Sequence, residues 1–481
     1  MLLSELMQGI DVKNNYSDTE ISCIVTDSRK IEKDCAFVCI KGKSFDAHTV
    51  AGEAAQKGAA AVIAAHETDA PNTLIVGDTA CVLSLMCSNY YGKPSRSLKL
   101  IGVTGTNGKT SVTHMIKRIL EHSGKRVGLL GTVNYMSGGS VISPASLTTP
   151  EALDLHRTFK NMVDSGCEYC VMEVSSQALA QKRCAGLKFD VAAFTNLTQD
   201  HLDYHGTMEN YAIAKSMLFT QSKAAVFNFD DEYCAVMTAK ADRCKKTFFS
   251  VLSEDADFYA YDFDLQKDSC RYTLTHEGEK YEVNVGIPGK FTVYNSMTAV
   301  AVCLEAGVSI DSSLSALAKM KGVPGRAEVL KTNTPYTVIV DYAHSPDALV
   351  NILKSVRTFA IGRVIALFGC GGDRDKSKRP LMAKAAVENA DYVIITSDNP
   401  RTENPNSIIE DIIPGISGKN TPCAIIPDRT HAIEYSLKNA RKDDVIVLCG
   451  KGHETYQIIG TEKIHYDERE IVKNALEKYN S

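Results

Sequence analysis

The chain has 481 residues, 44% of them hydrophobic and 23% charged, with a formal net charge of -5. That length exceeds one ordinary core and predicts two to four domains, while the near-balanced charge excludes the profile of a nucleic-acid binder or a disordered charged tail. The opening "MLLSELMQGIDVK" has acids where a secretory leader would be basic and apolar, and no uninterrupted apolar run of about 18 residues offers a membrane span. The 15 cysteines are scattered and odd in number, so a reducing cytoplasm is the expected compartment. Cys167 and Cys170 have redox-motif spacing but run into an apolar strand with no helix start to lower a thiol pKa, and they read as structural.

In chain order, residues 1–97 alternate short apolar runs ("CAFVCI", "AAAVIAA", "TLIVG") with helical stretches, predicting a small α/β domain. A polar break, "YGKPSRSLK", follows. Residues 98–327 open with the strand "LIGVTG", a glycine loop and a helix that ends at a glycine. "RVGLLG", "CVMEVS", "VAAFTNL" and "AAVFNFDD" then predict a central parallel-sheet domain, with an antiparallel excursion between Ser253 and Val285. Beyond "KGVPGRAEV", residues 328–481 carry four buried-strand runs ("TVIVDYAH", "RVIALFGC", "YVIITSDNP", "DVIVLCGKG") separated by helices. They predict a Rossmann-like doubly wound domain with functional loops at the strand carboxyl ends.

The loop "GVTGTNGKTS" carries the clearest chemistry. Gly105 and Gly108 let the backbone curl so that its N–H groups and the helix N-terminus face an anion; Lys109 supplies a charge for phosphates and the Thr110 hydroxyl suits Mg²⁺. Val103 stands where the usual phosphate-loop spacing has glycine, and a plain glycine turn ahead of an ordinary helix is the alternative. Glu173, at a strand end, reads equally as a Mg²⁺ ligand or a solvated acid. In "TNLTQDHLDYHG", His201 and His205 have zinc spacing but no H-E-x-x-H glutamate and no evident third ligand, and structural hydrogen bonding is the default. Lys215, among alanines in a short helix, reads on its own as a snorkelling lysine.

Taken in order, "GVTGTNGKTS", "MEVSSQAL", "TNLTQDHLDYHG", "YAIAKSMLF", "VFNFDDE", "VPGRAE", "DYAHSPDAL", "DNPR" and "GKGHE" resemble the Mur ligase family of bacterial cell-wall synthesis, nearest to its members that add the third residue of the muramyl peptide. The resemblance spans nearly the whole chain, and "TGTNGKT" is that family's own form of the phosphate loop. It implies three domains: 1–97 for the UDP-muramyl substrate, 98–327 for ATP and 328–481 for the amino acid. It also implies an ATP-dependent ligase acting through an acyl phosphate to join meso-diaminopimelate to UDP-N-acetylmuramoyl-L-Ala-D-Glu, as a cytoplasmic monomer.

By motif, Gly105, Thr106, Asn107, Gly108, Lys109, Thr110, Ser111, Asn295, Arg326 and Asp341 are implied for ATP. Ser28, with the nearby loop "KSFDAH", and Thr148, Thr149, Ser175, Gln181 and Arg183 are implied for the UDP-muramyl dipeptide. Arg374, Asp398, Asn399, Pro400, Arg401, Gly450 and Glu454 are implied for diaminopimelate. Two Mg²⁺ ions are implied on Thr110, Glu173, His201 and a CO₂-derived carbamate on Lys215, with Lys109, Glu173, His201 and Lys215 catalytic. Gln177, Thr292 and "DAH" depart from the family pattern without removing a metal ligand or the phosphate lysine. For Arg401, pairing with Glu403 on a solvated loop is the bland alternative to gripping the distal carboxylate of diaminopimelate. The competing functions are an L-lysine-adding form, a folylpolyglutamate synthetase-like ligase and a nucleotide-binding regulator.

Overall fold

The computed structural model describes residues 1–42, 45–145 and 147–480, and by its contacts divides into two compact units: Met1–Gly102 with Lys125–Ala192 and Met217–Lys223, and Val103–Gly124 with Ala193–Ser216 and Ala224–Ser481. Lys43 and Ser44, in the loop singled out near Ser28, lie outside the described residues.

In the first unit, Ile24–Val25, Cys35–Val38, Ala59–Ala64 and Thr73–Ile75 form a four-stranded parallel sheet. Successive side chains point to opposite faces, so Ala36, Val38, Ile63 and Leu74 enter one core with Leu6 and Met86, while Phe37, Cys39, Val62 and Ala64 enter another with Ala51 and Ala54. Burial on both faces is why these strands read as unbroken apolar runs. Asp78 caps the helix Thr79–Tyr90, accepting from the amides of Ala80 and Cys81 at 3.0 Å each. The same unit holds the parallel pair Val127–Leu130 and Tyr169–Glu173 and the helix Ala152–Asp164. Cys167 and Cys170 are buried free thiols there, and burial pushes the Cys170 thiol up, in line with a structural role.

In the second unit, the helix Lys109–His122 follows the glycine loop. The strand Ser222–Asn228 pairs in parallel with Lys245–Ser250, which pairs in parallel with Phe258–Leu265; Cys270–His276 and Glu279–Val285 then continue as antiparallel strands, the excursion expected from the sequence. The C-terminal six-stranded sheet runs in the order Glu328–Leu330, Thr337–Asp341, Val445–Cys449, Val364–Phe368, Tyr392–Ile395, Cys423–Ile425, and all but the first strand are parallel. Ile339, Ala366, Val393 and Val447 face one core and Val340, Leu367, Ile394 and Leu448 the other, which makes the sheet doubly wound. The last parallel strand in sequence, Val445–Cys449, is inserted between the first two. Ligand crevices form at such a reversal, outside the strand carboxyl ends.

Those carboxyl ends are tied by a buried ion pair. Arg429, at the start of the helix Arg429–Asn439, donates through Nε to Glu468 Oε1 at 2.9 Å, through Nη2 to the Cys449 carbonyl at 2.8 Å and through Nη1 to the Ser397 carbonyl at 3.1 Å. Both side chains are sealed from water. Removing one partner leaves an uncompensated buried charge, so Arg429→Met should lower the unfolding free energy of this unit by about 3–5 kcal/mol, and Arg429→Met with Glu468→Leu should recover most of it. Denaturant melts of the three proteins check this; a single variant as stable as the parent would contradict it.

Candidate active site

The phosphate loop takes its shape from two glycines and a ring of side chains around them. Gly105 has φ +149° and Gly108 φ +87°, and a Cβ at either would run into a neighbour: the Thr195 hydroxyl at Gly105, and Asn295 Oδ1 at 2.5 Å at Gly108. Asn196 accepts from the amides of Thr106 (2.8 Å, through its carbonyl) and Asn107 (2.9 Å, through Oδ1). The Asn107 carbonyl receives Thr195 Oγ1 at 2.6 Å and Asn196 Nδ2 at 3.1 Å. The bland reading, a turn before an ordinary helix, does not account for this fixed cradle. Of the sequence-predicted nucleotide residues, Asn295 packs on Gly108. Arg326 donates from Nη2 to Thr110 Oγ1 at 2.9 Å and stacks on Tyr342, its guanidinium carbon 4.6 Å from the ring centre. Asp341 is half-buried, accepting from the amides of Ala327 (2.7 Å) and Ala343 (2.8 Å), and desolvation pushes its carboxyl up.

Two lysines converge on the loop. Lys109 Nζ donates to the carbonyls of Gly105 (2.9 Å) and Thr106 (2.8 Å), and Lys215 Nζ donates to the same Gly105 carbonyl at 2.7 Å. Lys109 is half-buried and engaged with the backbone. Lys215 is buried, with Nζ 4.5 Å from the centre of the Tyr211 ring. It does not snorkel. Burial and the Lys109 charge push its pKa well below the ordinary lysine value.

His201 sits in the left-handed region at φ +55° and lies, with His344, on either side of Asp200: Nε2 to Oδ2 distances are 3.7 and 4.0 Å. Burial disfavours the Asp200 charge, but His201, His344 and Lys378 outweigh it and hold the carboxyl down at about 2. Burial pushes His344 down to about 4 and lowers His201 as well. Both imidazoles are neutral at pH 7 on that account, the form a metal ligand needs. Among the described residues no three His, Cys, Asp or Glu gather as a metal cluster, so the zinc spacing of His201 and His205 has no third partner.

In the first unit, Glu173 accepts from the Thr132 amide and hydroxyl, both at 2.9 Å, and is buried; a Cβ at Gly131 would strike its carboxylate. The solvated-acid reading therefore falls. Its carbonyl accepts Thr149 Oγ1 at 2.8 Å, and the Ser175 amide donates to the same hydroxyl at 3.0 Å. Arg183 Nη1 donates to the Thr149 carbonyl at 2.9 Å and Nη2 to Gln181 Oε1 at 2.5 Å. Thr148 reaches Thr132 at 3.1 Å between hydroxyls. Five of the six predicted muramyl-dipeptide residues thus form one polar cluster, while Ser28 stands apart on the short 3₁₀ helix Ser28–Lys30, which Asp27 caps.

The third group lies at the carboxyl ends of the C-terminal sheet. Asn399 Nδ2 donates to Glu454 Oε2 at 2.9 Å, and a Cβ at Gly450 would meet Asp398 Oδ2 at 2.6 Å. Arg401, at φ +52°, directs Nη1 to the Gly372 carbonyl at 2.9 Å. Glu403 does not pair with it. That carboxylate is taken by Arg379, a guanidinium sealed from solvent that reaches Glu403 at 2.8 and 3.0 Å and Asp411 at 2.7 Å; the Arg379 hydrogen bonds hold the Glu403 carboxyl down to about 2. Arg374 and Glu403 line a cavity of about 410 Å³ with Asp203, Asp373, Asp375 and Lys376. Sequence reasoning named most of this set but missed Lys451, Arg379, His344, Lys378 and Asp347, which accepts from Asn107 Nδ2 at 2.9 Å. Lys451, His344 and Asp347 lie inside the quoted motifs "GKGHE" and "DYAHSPDAL", so a signal was present; their partners were not readable.

The chain matches the Mur ligase family, catalytic domain, over residues 20–86, the Mur ligase middle domain over 103–303 and the Mur ligase glutamate ligase domain over 325–452. It is 43% identical over 489 residues to the UDP-N-acetylmuramoyl-L-alanyl-D-glutamate--2,6-diaminopimelate ligase of Clostridium tetani, covering 99% of this chain and 100% of that one. A solved structure of a UDP-N-acetylmuramoyl-L-alanyl-D-glutamate--2,6-diaminopimelate ligase matches with a TM-score of 0.71 at 32% identity, over 100% of this chain and 99% of that one. The MurF ligase of Thermotoga maritima in complex with ADP shares the fold, with a TM-score of 0.64 at 21% identity over 95% of this chain and 98% of that one.

The loop geometry yields a direct test. Lys109→Ala removes both the charge facing the phosphates and two bonds that hold the loop carbonyls, so nucleotide-dependent turnover should fall on the order of 10²-fold or more. The melting temperature should move by no more than a few degrees. Near-normal turnover would remove Lys109 from the phosphate site.

Proposed function

The chain belongs to the Mur ligase family, and we propose that it performs the reaction for which its 43% identical relatives are named, ATP-dependent addition of meso-diaminopimelate to UDP-N-acetylmuramoyl-L-Ala-D-Glu in peptidoglycan precursor synthesis. The observation that carries the choice of amine is the state of Arg401. Its guanidinium rests on backbone carbonyls, no carboxylate pairs with it among the described residues, and Glu403, the nearest candidate in sequence, is held by Arg379. A guanidinium so placed suits a carboxylate of the substrate. The three-part division, with 1–97 for the UDP-muramyl substrate, 98–327 for ATP and 328–481 for the amino acid, is part of the same reading.

A carboxylate cannot expel oxide, and so the D-glutamate side chain must be activated. Its oxygen attacks the γ-phosphorus of ATP and ADP leaves; the amine nitrogen then attacks the acyl phosphate, loses a proton, and inorganic phosphate departs from the tetrahedral intermediate. Lys109, Arg326 and the Gly105–Ser111 loop bind and orient the phosphates, and Asn295 and Asp341 complete the nucleotide contacts. Thr149, Ser175, Gln181 and Arg183, with Thr148 and Ser28, are assigned to the muramyl dipeptide. Thr110, Glu173, His201 and a carbamate on Lys215 are the groups that would hold two Mg²⁺ ions, and their oxygen and neutral imidazole donors suit that metal, which when bound neutralises phosphate charge. Fifteen free thiols support a reducing cytoplasm as the compartment, and the active species is read as a monomer.

The lowered pKa of Lys215 supports carbamylation: the neutral amine is the form that attacks CO₂, and loss of one proton leaves an anionic oxygen ligand where a buried cation stood. Lys215→Ala should lose most activity, and a short carboxylic acid in the buffer should restore part of it. Full activity of the alanine variant would refute the carbamate.

The amine choice is tested by phosphate release with diaminopimelate and L-lysine in parallel. Lysine offers Arg401 no carboxylate and brings an ammonium toward it, so discrimination of several kcal/mol is expected, and Arg401→Ala should lose most of it. A preference for lysine would overturn the amine assignment and leave the ligase standing.

A further inference from the structure

Lys451 follows the strand Val445–Cys449 and has no exposure to solvent. Its ammonium donates to Asn399 Oδ1 and Glu454 Oε2, both at 3.0 Å, and the ring centres of Tyr456 and Tyr466 lie 5.9 Å away. Burying an ammonium is costly, and an apolar side chain would serve a purely structural role at least as well. The cation therefore calls for a reason.

Its partners supply one. Asn399 Oδ1 also accepts from the Ile458 amide at 3.0 Å, so the carboxamide oxygen is held by two donors and the amide nitrogen must face Glu454. Glu454 Oε2 in turn receives both Asn399 Nδ2 and Lys451 Nζ. Burial disfavours the Asp398 charge, but Lys451 and Arg429 outweigh it and hold that carboxyl below its ordinary value. Burial pushes the Glu454 carboxyl up and Lys451 is the first charge opposing it; Asp398, Tyr342 and Tyr456 also face it, Arg429 and His344 act on Asp398, and Arg401 acts on Tyr456.

We propose that Lys451 is a positioning residue for the amine substrate: it locks Asn399 and Glu454 into one hydrogen-bonded unit and sets the orientation and negative charge of the carboxylate that receives the distal ammonium of diaminopimelate. The inference rests on reading this pocket as the diaminopimelate site.

The test uses the full-length enzyme with Lys451→Met, Lys451→Gln and, in parallel, Glu454→Gln, measuring KM and kcat for diaminopimelate, ATP and the UDP-muramyl dipeptide from about pH 7 to about pH 9. For Lys451→Met, KM for diaminopimelate should rise about tenfold or more, the scale of one charge-assisted hydrogen bond lost, with the other two KM values within about twofold. With the ammonium gone, the first charge opposing burial at Glu454 is lost and its carboxyl is pushed up further, so rising pH favours the ionised form more than it does in the parent. KM should then fall with rising pH, a trend that a packing defect alone would not produce. Lys451→Gln, which keeps one donor, should lie between. If Glu454→Gln leaves KM for diaminopimelate unchanged, the pocket reading fails and the inference with it. If Glu454→Gln raises KM but Lys451→Met does not, the positioning role alone fails. A loss confined to kcat, a rise shared by all three substrates, or insoluble protein from both Lys451 variants would make Lys451 a structural residue and overturn the proposal.

Discussion

Charge carried out of water at the carboxyl ends of the C-terminal strands is the constraint on which the arrangement of the loops there depends. A lone buried ion costs several kcal/mol, and a buried pair survives only when its remaining donors and acceptors are met. Arg429 satisfies this by spending its guanidinium on Glu468 and on the Ser397 and Cys449 carbonyls, and thereby fixes the points where the loops carrying Asp398–Arg401 and Gly450–Glu454 leave the sheet. Arg379, on the helix Lys378–Asn389, is sealed from solvent as well. It takes Glu403 and Asp411, Glu403 accepts from the Asp373 amide at 2.6 Å, and Thr402 Oγ1 reaches Asp373 at 2.8 Å, so the loop before the helix Lys378–Asn389 and the turn after Arg401 are held together. Arg401 is thereby freed from its sequence neighbour, and its availability for a ligand is a product of the Arg379 network.

The phosphate loop obeys a different rule, set by backbone shape. Its curl requires φ values that L side chains resist, and the approach of Thr195 and Asn295 leaves no space for a Cβ at Gly105 or Gly108. Position 103 is a buried strand residue in this protein, so valine there serves the core and takes nothing from the loop. The apparent defect in the motif is an ordinary strand position.

The elements were largely legible because apolar period and turn chemistry are local. The doubly wound C-terminal sheet followed from four apolar runs ending in Gly, Asp or Asn, and the antiparallel excursion from its change to a more polar pattern. Of the candidate site residues, Gly105, Gly108, Lys109 and Thr110 were suggested by the loop chemistry itself, and most of the others were named only through the resemblance, motif by motif. What could not be read was pairing between distant segments: Arg379 with Asp411, Asn107 with Asp347, Lys451 with Asn399, and Asp200 set between His201 and His344. Each joins residues whose meeting is decided by strand order, in particular by the insertion of Val445–Cys449 between strands that precede it in sequence. A single lysine or glutamate in a motif says nothing of which opposite charge the fold will bring to it, and so Glu173, Lys215 and Glu403 each carried a bland alternative that only the packing removed.

The same arithmetic applies to the two lysines that meet at the Gly105 carbonyl. Lys109 and Lys215 both donate to the Gly105 carbonyl, at 2.9 and 2.7 Å, so their nitrogens lie within the sum of those distances. Two ammonium groups that close repel by about 3 kcal/mol at an effective dielectric near 20, and one of them is sealed from water. One carbonyl dipole does not offset both that repulsion and the desolvation of Lys215. The pair is relieved if Lys215 gives up its proton, which burial already favours, and relieved further if the neutral amine acquires an anionic group, because repulsion with Lys109 then becomes attraction. The helix Met208–Ser216 thus presents a lysine whose cationic form is the least favourable of its states, in contact with the Gly105 carbonyl of the loop. Burial of a basic side chain, costly to the fold when considered alone, thus leaves at this loop an amine that the fold favours in its neutral form.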